Sequence, residues 1–173
     1  VLITGASAGL GREFAKIIAA EGRGLVLVAR RLDRLEALAQ ELRDAHKVSV
    51  QCIAADLEEA DAPLRIFERT QELGLTIDVL INNAGFGSTG PFHALDRERE
   101  LAMVQVNVTA LVHLSRLYLP AMVERKSGGI LNVGSTAGFQ AGPYMATYYA
   151  TKAFVQSFSE ALAEEVKGHG VHV

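Results

Sequence analysis

Along this chain, short runs dominated by apolar residues alternate with longer stretches in which apolar side chains recur every three or four positions. Val1 to Thr4, Leu25 to Ala29, Val48 to Ala54, Ile77 to Ile81 and Gly129 to Val133 are the short runs, too brief for helices, and Val171 to Val173 begins a sixth. Strands that are apolar on both faces must be covered on both faces, which points to a parallel sheet with helices on each side. The intervening stretches supply those helices. Leu10, Phe14, Ile17 and Ile18 share a face that stops at Gly22. Leu35, Leu38 and Leu42 follow Asp33 and Glu36, whose spacing predicts an N-cap at Asp33 with a capping box. Pro63 opens a third helix that carries Leu64 and Phe67 and ends at Gly74. From Asp96 to Arg125 one long helix is expected, bent near Pro120. Leu101, Val104, Val108 and Leu111 form one stripe on it, and Val106, Ala110, Leu114 and Leu117 add apolar surface beside that stripe. A last helix carries Phe154, Phe158 and Leu162. The reading is an α/β protein with a single doubly wound parallel sheet over residues 1–173. Its strand pattern breaks off inside the sixth strand, so the sheet is expected to be incomplete at its C-terminal end.

Composition narrows the function classes. The length suits one domain with a proper core. A formal net charge of -3 provides no strong positive field, which removes the electrostatic case for nucleic acid or an anionic membrane. The apolar stretch from Leu111 to Val123 is interrupted by His113, Arg116 and Pro120, and no charged leader precedes an apolar segment, so a soluble cytoplasmic protein is expected. Cys52 stands alone and cannot form an internal disulfide; its apolar surroundings suggest a buried thiol. His169 and His172 lack cysteine or carboxylate companions at ligand spacing, so no metal site is expected.

Candidate chemistry begins where the first strand runs into Gly5-Ala6-Ser7-Ala8-Gly9-Leu10-Gly11. Glycine lets the backbone turn sharply and approach a ligand closely, and free N–H groups at a helix start attract a diphosphate. The turn therefore predicts dinucleotide binding on a Rossmann fold, although its G-x-x-x-G-x-G spacing differs from the commoner G-x-G-x-x-G. An NAD-type site places an acid on the ribose about 20 residues further on. Here Ala29-Arg30-Arg31 occupies that place, and arginine suits a 2′-phosphate, which puts NADP(H) ahead of NAD(H). Asp56, followed by Leu57, lies at the carboxyl end of the third strand, where it is either an adenine contact or a turn former. Further on, Tyr148 and Lys152 sit one helical turn apart and share a helix face. A phenol titrates near ~10 in water, and a fixed cation nearby favours the phenolate.

The glycine turn from Thr4 to Gly11, Asn82-Asn83-Ala84-Gly85 after the fourth strand, Gly134-Ser135-Thr136-Ala137-Gly138 after the fifth, and Tyr148-x-x-x-Lys152 together resemble the short-chain dehydrogenase/reductase family. The resemblance implies that Gly5, Ser7, Ala8, Gly9, Leu10 and Gly11 contact the cofactor; Arg30, Asp56 and Leu57 join them as candidates by their place at the strand ends. Asn83, Ala84 and Gly85 would combine a structural and a binding role. It also implies a catalytic set of Asn107, Ser135, Tyr148 and Lys152. Tyr148 would be the general acid/base; Lys152 would lower its pKa and bind the nicotinamide ribose. Ser135 would stabilise the substrate oxygen, and Asn107, polar amid apolar helix neighbours, would order a water relay. The activity implied is interconversion of a carbonyl and an alcohol on a small molecule, by a homodimer or homotetramer formed through the long helices. In the family the chain continues through a further strand, a substrate-covering segment and a C-terminal strand, so these residues are expected to be a fragment of a longer protein. Two other readings stand beside this one: an epimerase or dehydratase of the same superfamily, whose glycine turn usually reads G-x-x-G-x-x-G, and a nucleotide-binding sensor or scaffold without turnover.

Overall fold

In the computed structural model, which describes residues 1–173, strand β1 (Leu2–Thr4) lies between β2 (Leu25–Ala29) and β4 (Val79–Asn82). The sheet extends outward to β3 (Val50–Ala54) on one side and to β5 (Gly128–Asn132) and β6 (Val171–His172) on the other, giving the order β3-β2-β1-β4-β5-β6 with every pair parallel. All six strands of the doubly wound order are present, the last only two residues long. Six helices accompany them: α1 (Gly9–Ala20), α2 (Leu32–His46), α3 (Ala62–Glu72), α4 (Arg97–Val104), α5 (Ala110–Glu124) and α6 (Ala146–Val166).

Alternation along the strands divides the core in two. Leu2, Val26, Val28 and Leu80 join Ile66 of α3 and Ala110, Leu114, Tyr118 and Met122 of α5. Ile3, Leu25, Leu27 and Ile81 point the other way, into Ala15 and Ala19 of α1 and Leu35, Leu38 and Leu42 of α2. Burying three leucines at ~1.5–3 kcal/mol each outweighs a side-chain cap worth ~1 kcal/mol, so packing sets where α2 begins. The expected capping box is accordingly absent. Arg31 takes the N-cap position with no side-chain bond, and Asp33 falls inside the first turn, where its charge complements the helix dipole. Glu36 faces Arg43 at 3.7 Å instead. Cys52 is half-buried rather than buried; desolvation first, and then the Glu36 carboxylate, push its thiol up to about 11, so it stays protonated.

The expected long helix is in three parts. Asp96 caps α4, accepting the Arg99 N–H at 2.8 Å, and a π-turn over Gln105–Thr109 separates α4 from α5. Pro120 lies within α5 without ending it. Along these parts Met103, Val106, Ala110, Leu114, Tyr118 and Met122 are buried, whereas Leu101 and Val104 of the first apolar stripe are exposed. Arg97–Glu124 reaches the length and hydropathy of a membrane span, a property its buried, core-forming residues explain.

Candidate active site

The carboxyl ends of β1 to β5 open onto a cavity of about 770 Å³. Its floor is the turn after β1, where Gly5 and Gly9 adopt φ of 66° and 55°, in the left-handed region. A side chain at Gly9 would meet nothing within 4 Å, and Ala8, the N-cap of α1, has no side chain able to satisfy the first N–H groups of that helix. This is an open cradle whose free donors point to an anion, and it fits a dinucleotide diphosphate. Gly5, Ser7, Ala8, Gly9 and Leu10 line it as expected. Gly11 does not: it is buried behind the turn, where an added Cβ would lie 2.5 Å from the Gly5 carbonyl oxygen and 2.6 Å from Asn83 Nδ2. Its absent side chain lets α1 pack against the strand ends.

One hydroxyl that the sequence reading passed over joins β1 to the segment after β4. Thr4 Oγ1 accepts the N–H groups of Asn83 and Ala84, each at 3.0 Å, and donates to the Ile81 carbonyl at 3.3 Å. Asn83 returns the contact, its Nδ2 donating to the Thr4 carbonyl at 2.9 Å. Asn83, Ala84 and Gly85 thereby reach the cavity wall in fixed positions. Asn82 is turned the other way, donating to Ser115 Oγ at 3.1 Å and to Asn132 Oδ1 at 2.9 Å, and ties β4 to α5 and β5.

At the far side of the cavity from β4, Arg30, Arg31, Asp56 and Leu57 all line the wall. Arg30 lies 3.1 Å from Glu58 and 3.7 Å from Asp56, so both acids near it are already engaged. Arg31 donates to Ser7 Oγ at 3.4 Å and has no carboxylate partner, which makes it the freer cation at this end.

Tyr148 and Lys152 enter from the first turns of α6, and both line the cavity. Lys152 is 7% exposed, and burial pulls its ammonium below the ordinary lysine value. Its Nζ donates to the Val133 carbonyl at 2.7 Å and lies 5.9 Å from the centre of the Tyr148 ring. The Gly87 backbone lies flat against that ring, since a Cβ there would be 3.1 Å from Tyr148 Cδ2. Ser135 and Asn107 do not line the cavity. Ser135 caps a short 3-10 turn, its Oγ accepting the Ala137 N–H at 3.1 Å, next to Gly134, which does line it. That bond leaves the serine proton free to donate.

Asn107 sits at the centre of the π-turn, 2% exposed. Its Oδ1 accepts the Phe86 N–H at 3.1 Å while its Nδ2 donates to the Phe86 carbonyl at 2.9 Å and to Thr151 Oγ1 at 3.1 Å. Thr151 in turn donates to the Tyr148 carbonyl at 2.7 Å. A single amide thus locks the loop after Gly85 to the helix that carries Tyr148 and Lys152.

Turn, Asn-Asn-Ala-Gly segment and Tyr-Lys pair meeting in one cavity invite comparison with known proteins. A profile described as short chain dehydrogenase matches residues 1–173. The chain belongs to the short-chain dehydrogenase/reductase family. Among its relatives are very-long-chain 3-oxoacyl-CoA reductases of Neurospora crassa, 41% identical over 99% of this chain and 53% of the relative, and of Bos taurus, 36% identical over 99% and 56%. The chain spans about half the length of the curated relatives it matches. Among solved structures, a short-chain dehydrogenase from Sphingobium yanoikuyae in complex with NADPH superimposes with a TM-score of 0.94 at 40% identity, covering 99% of this chain and 67% of that one. A metagenomic short-chain oxidoreductase in complex with NADP gives 0.93 at 33% identity, covering 99% and 77%. An oxidoreductase family, a Rossmann-type fold and an NAD(P) site follow for this member.

Proposed function

We propose that this site interconverts a carbonyl and an alcohol with NADP(H) as the preferred cofactor, and that a 3-oxoacyl thioester is its substrate class. The observation that carries the reading is the meeting of Tyr148 and Lys152 with the open Gly5–Leu10 cradle in one cavity. The residues that would hold the cofactor are those of the cradle for its diphosphate, Arg31 and Arg30 for a 2′-phosphate, and Asn83 to Gly85 with Lys152 for the remainder. When bound, it supplies the hydride, a two-electron donor to the carbonyl carbon.

The protein's part is proton transfer and orientation. In reduction the Tyr148 hydroxyl gives its proton to the carbonyl oxygen and in oxidation takes it back. Ser135, behind the cavity-lining Gly134 and with its oxygen already accepting from Ala137, has its own proton left to donate to the oxygen on which charge develops. Lys152 keeps a positive charge beside the phenol ring. Asn107 acts from behind, by holding Phe86 and Thr151 in place. That relatives of this chain are very-long-chain 3-oxoacyl-CoA reductases supports the thioester class, and the NADPH and NADP complexes of similar structures support the cofactor. Leu101 and Val104 of α4 and Phe154 of α6, which stacks on Phe158 at 5.8 Å, are apolar side chains left exposed, and their cover by a second copy is the ground for expecting a homo-oligomer. Tyr148→Phe is the test: it removes the transferable proton and little else. We expect carbonyl reduction to fall by about a thousandfold while NADPH binding, followed by quenching or calorimetry, changes less than about twofold. Undiminished turnover would overturn the assignment.

A further inference from the structure

The run Arg97-Glu98-Arg99-Glu100 at the start of α4 reads as a self-neutralising charge pattern, but the structure does not use it that way. Arg97 pairs with Glu98 at 2.6 Å. Glu100 turns inward, 8% exposed, and accepts the hydroxyl of Ser88. Both acids flanking Arg99 are thereby engaged elsewhere, and Arg99 has no carboxylate within ion-pair distance. It is not loose, however. Its guanidinium carbon sits 4.6 Å above the centre of the Phe86 ring, a cation–π contact, and the side chain lines the cavity beside Phe86, Gly87 and Thr89.

The charge around this cavity is distinctive. Arg30, Arg31, Arg99 and Lys152 line it against Asp56 and Glu58 alone, in a chain whose net charge is -3. Both carboxylates face Arg30. The cofactor's phosphates have receivers of their own in the Gly5–Leu10 turn and in Arg30 and Arg31. Arg99 comes from a different element and adjoins the reacting end: it covers Phe86, and the next residue, Gly87, lies against the Tyr148 ring. Consecutive Cα atoms are about 3.8 Å apart, so the residue under the guanidinium and the residue against the phenol are immediate neighbours.

We infer that Arg99 is a specificity-determining residue that binds an anionic group of the substrate, a phosphate or carboxylate carried at a distance from the carbonyl. Phe86 holds the guanidinium plane in place, and Glu100, through Ser88, holds the loop beneath it. This rests on the carbonyl-reductase reading above and adds to it that the substrate is charged. Arginine suits the task because its fork of donors meets two oxyanion oxygens at once and keeps its charge at every working pH.

The experiment compares two substrates with the same 3-oxoacyl chain, one a coenzyme A thioester bearing phosphates and the other a neutral N-acetylcysteamine thioester. Arg99→Gln retains a planar group to lie on Phe86, and Arg99→Ala removes it; both are checked for folding by circular dichroism. For each variant kcat/KM on the charged thioester should fall about tenfold, equivalent to ~1.4 kcal/mol, with the neutral thioester within about twofold of wild type and KM for NADPH unchanged. Raising salt should erode the wild-type preference for the charged thioester and leave that of Arg99→Gln flat. Equal losses on both thioesters would overturn the inference, as would a raised KM for NADPH with no change in thioester preference, which would hand the contact to the cofactor. Affinity for the coenzyme A thioester is also measured directly in Tyr148→Phe and in Tyr148→Phe/Arg99→Gln. An equal affinity in the two refutes the Arg99 contact whatever the activity of the wild type, and absence of turnover by the wild-type protein with a tenfold difference in affinity between the two variants refutes the reductase reading alone.

Discussion

Replacing Asn107 with alanine tests whether the π-turn is a working part of the site or a local irregularity. The side chain makes three bonds, at 3.1, 2.9 and 3.1 Å, to both backbone groups of Phe86 and to Thr151 Oγ1. Alanine leaves the Phe86 N–H and C=O unpaired and takes from Thr151 its donor, while Thr151 keeps its own bond to the Tyr148 carbonyl. An orphaned polar group costs ~1 kcal/mol where water can reach it and up to ~3 where it cannot. The Phe86 groups are partly buried, so the loss should be about 2–4 kcal/mol, or a fall in Tm of roughly 5–15 °C for a chain of this size. Thr151→Val loses less, about 1–2 kcal/mol. Because the two residues share a bond, the double variant should be less destabilised than the sum of the singles by about 1 kcal/mol. Asn107→Asp should not rescue, since a carboxylate cannot donate to the Phe86 carbonyl. Thermal unfolding of the wild type and the four variants, followed by circular dichroism, measures all of this. A melting point for Asn107→Ala within about 2 °C of wild type, or strict additivity with Thr151→Val, would refute the clamp.

Three further outcomes are expected. Arg30→Ala should raise KM for NADPH by about tenfold and spare NADH, because it removes a cation and leaves Asp56 and Glu58 uncompensated beside the 2′-phosphate; equal changes for both cofactors would exclude a 2′-phosphate contact. Lys152→Met should abolish reduction and alter the pH dependence of stability. Burial lowers the Lys152 pKa in the folded state from 10.5, so between the two pKa values the unfolded chain binds more protons and wild-type stability gains as pH rises through that window. The Tm of the variant minus that of wild type should therefore decrease from neutral pH toward pH 10.5, and a constant difference would argue against a desolvated ammonium. Sedimentation of the full-length protein at micromolar concentration should show an oligomer that Leu101→Asp or Phe154→Asp dissociates, whereas a wild-type monomer would rule out the α4–α6 surface as an interface.

Features fixed by local chemistry were legible in the sequence. The strands announce themselves as short apolar-rich runs, and the glycine turn is written in a few neighbouring residues, two of which take φ values of 66° and 55° that no other residue type adopts as readily. Tyr148 and Lys152 are one helical turn apart, so their meeting needed nothing but the helix. Features that depend on distant chain segments were not legible. Asn107 stood out as polar in an apolar helix, yet its partners lie 21 and 44 residues away, and the π-turn that aims it has no local signature among Gln105 to Thr109. Thr4 looked like the last residue of a strand; its use by Asn83, 79 positions on, appears only when β1 and β4 are paired. The two apolar sides of the long helix were visible in the sequence, but which of them faces the sheet was not: Val106, Ala110 and Leu114 are buried, whereas Leu101 and Val104 are exposed.

The same contrast explains why Gly11 and Gly9 divide the work of the turn between them. In sequence the glycines of this motif are interchangeable letters, and all were expected at the cofactor. In three dimensions an added Cβ at Gly9 meets nothing, while one at Gly11 strikes the Gly5 carbonyl and Asn83 Nδ2. Gly9 keeps the cradle open toward the ligand; Gly11 lets Asn83 approach from behind and brace it. The diphosphate site and the Asn-Asn-Ala-Gly segment are therefore one packed unit, and through Gly85, Phe86 and Asn107 that unit reaches the helix of Tyr148. A chain of direct contacts thus joins cofactor cradle to proton donor, which is why separated motifs of this sequence, none decisive alone, define one site.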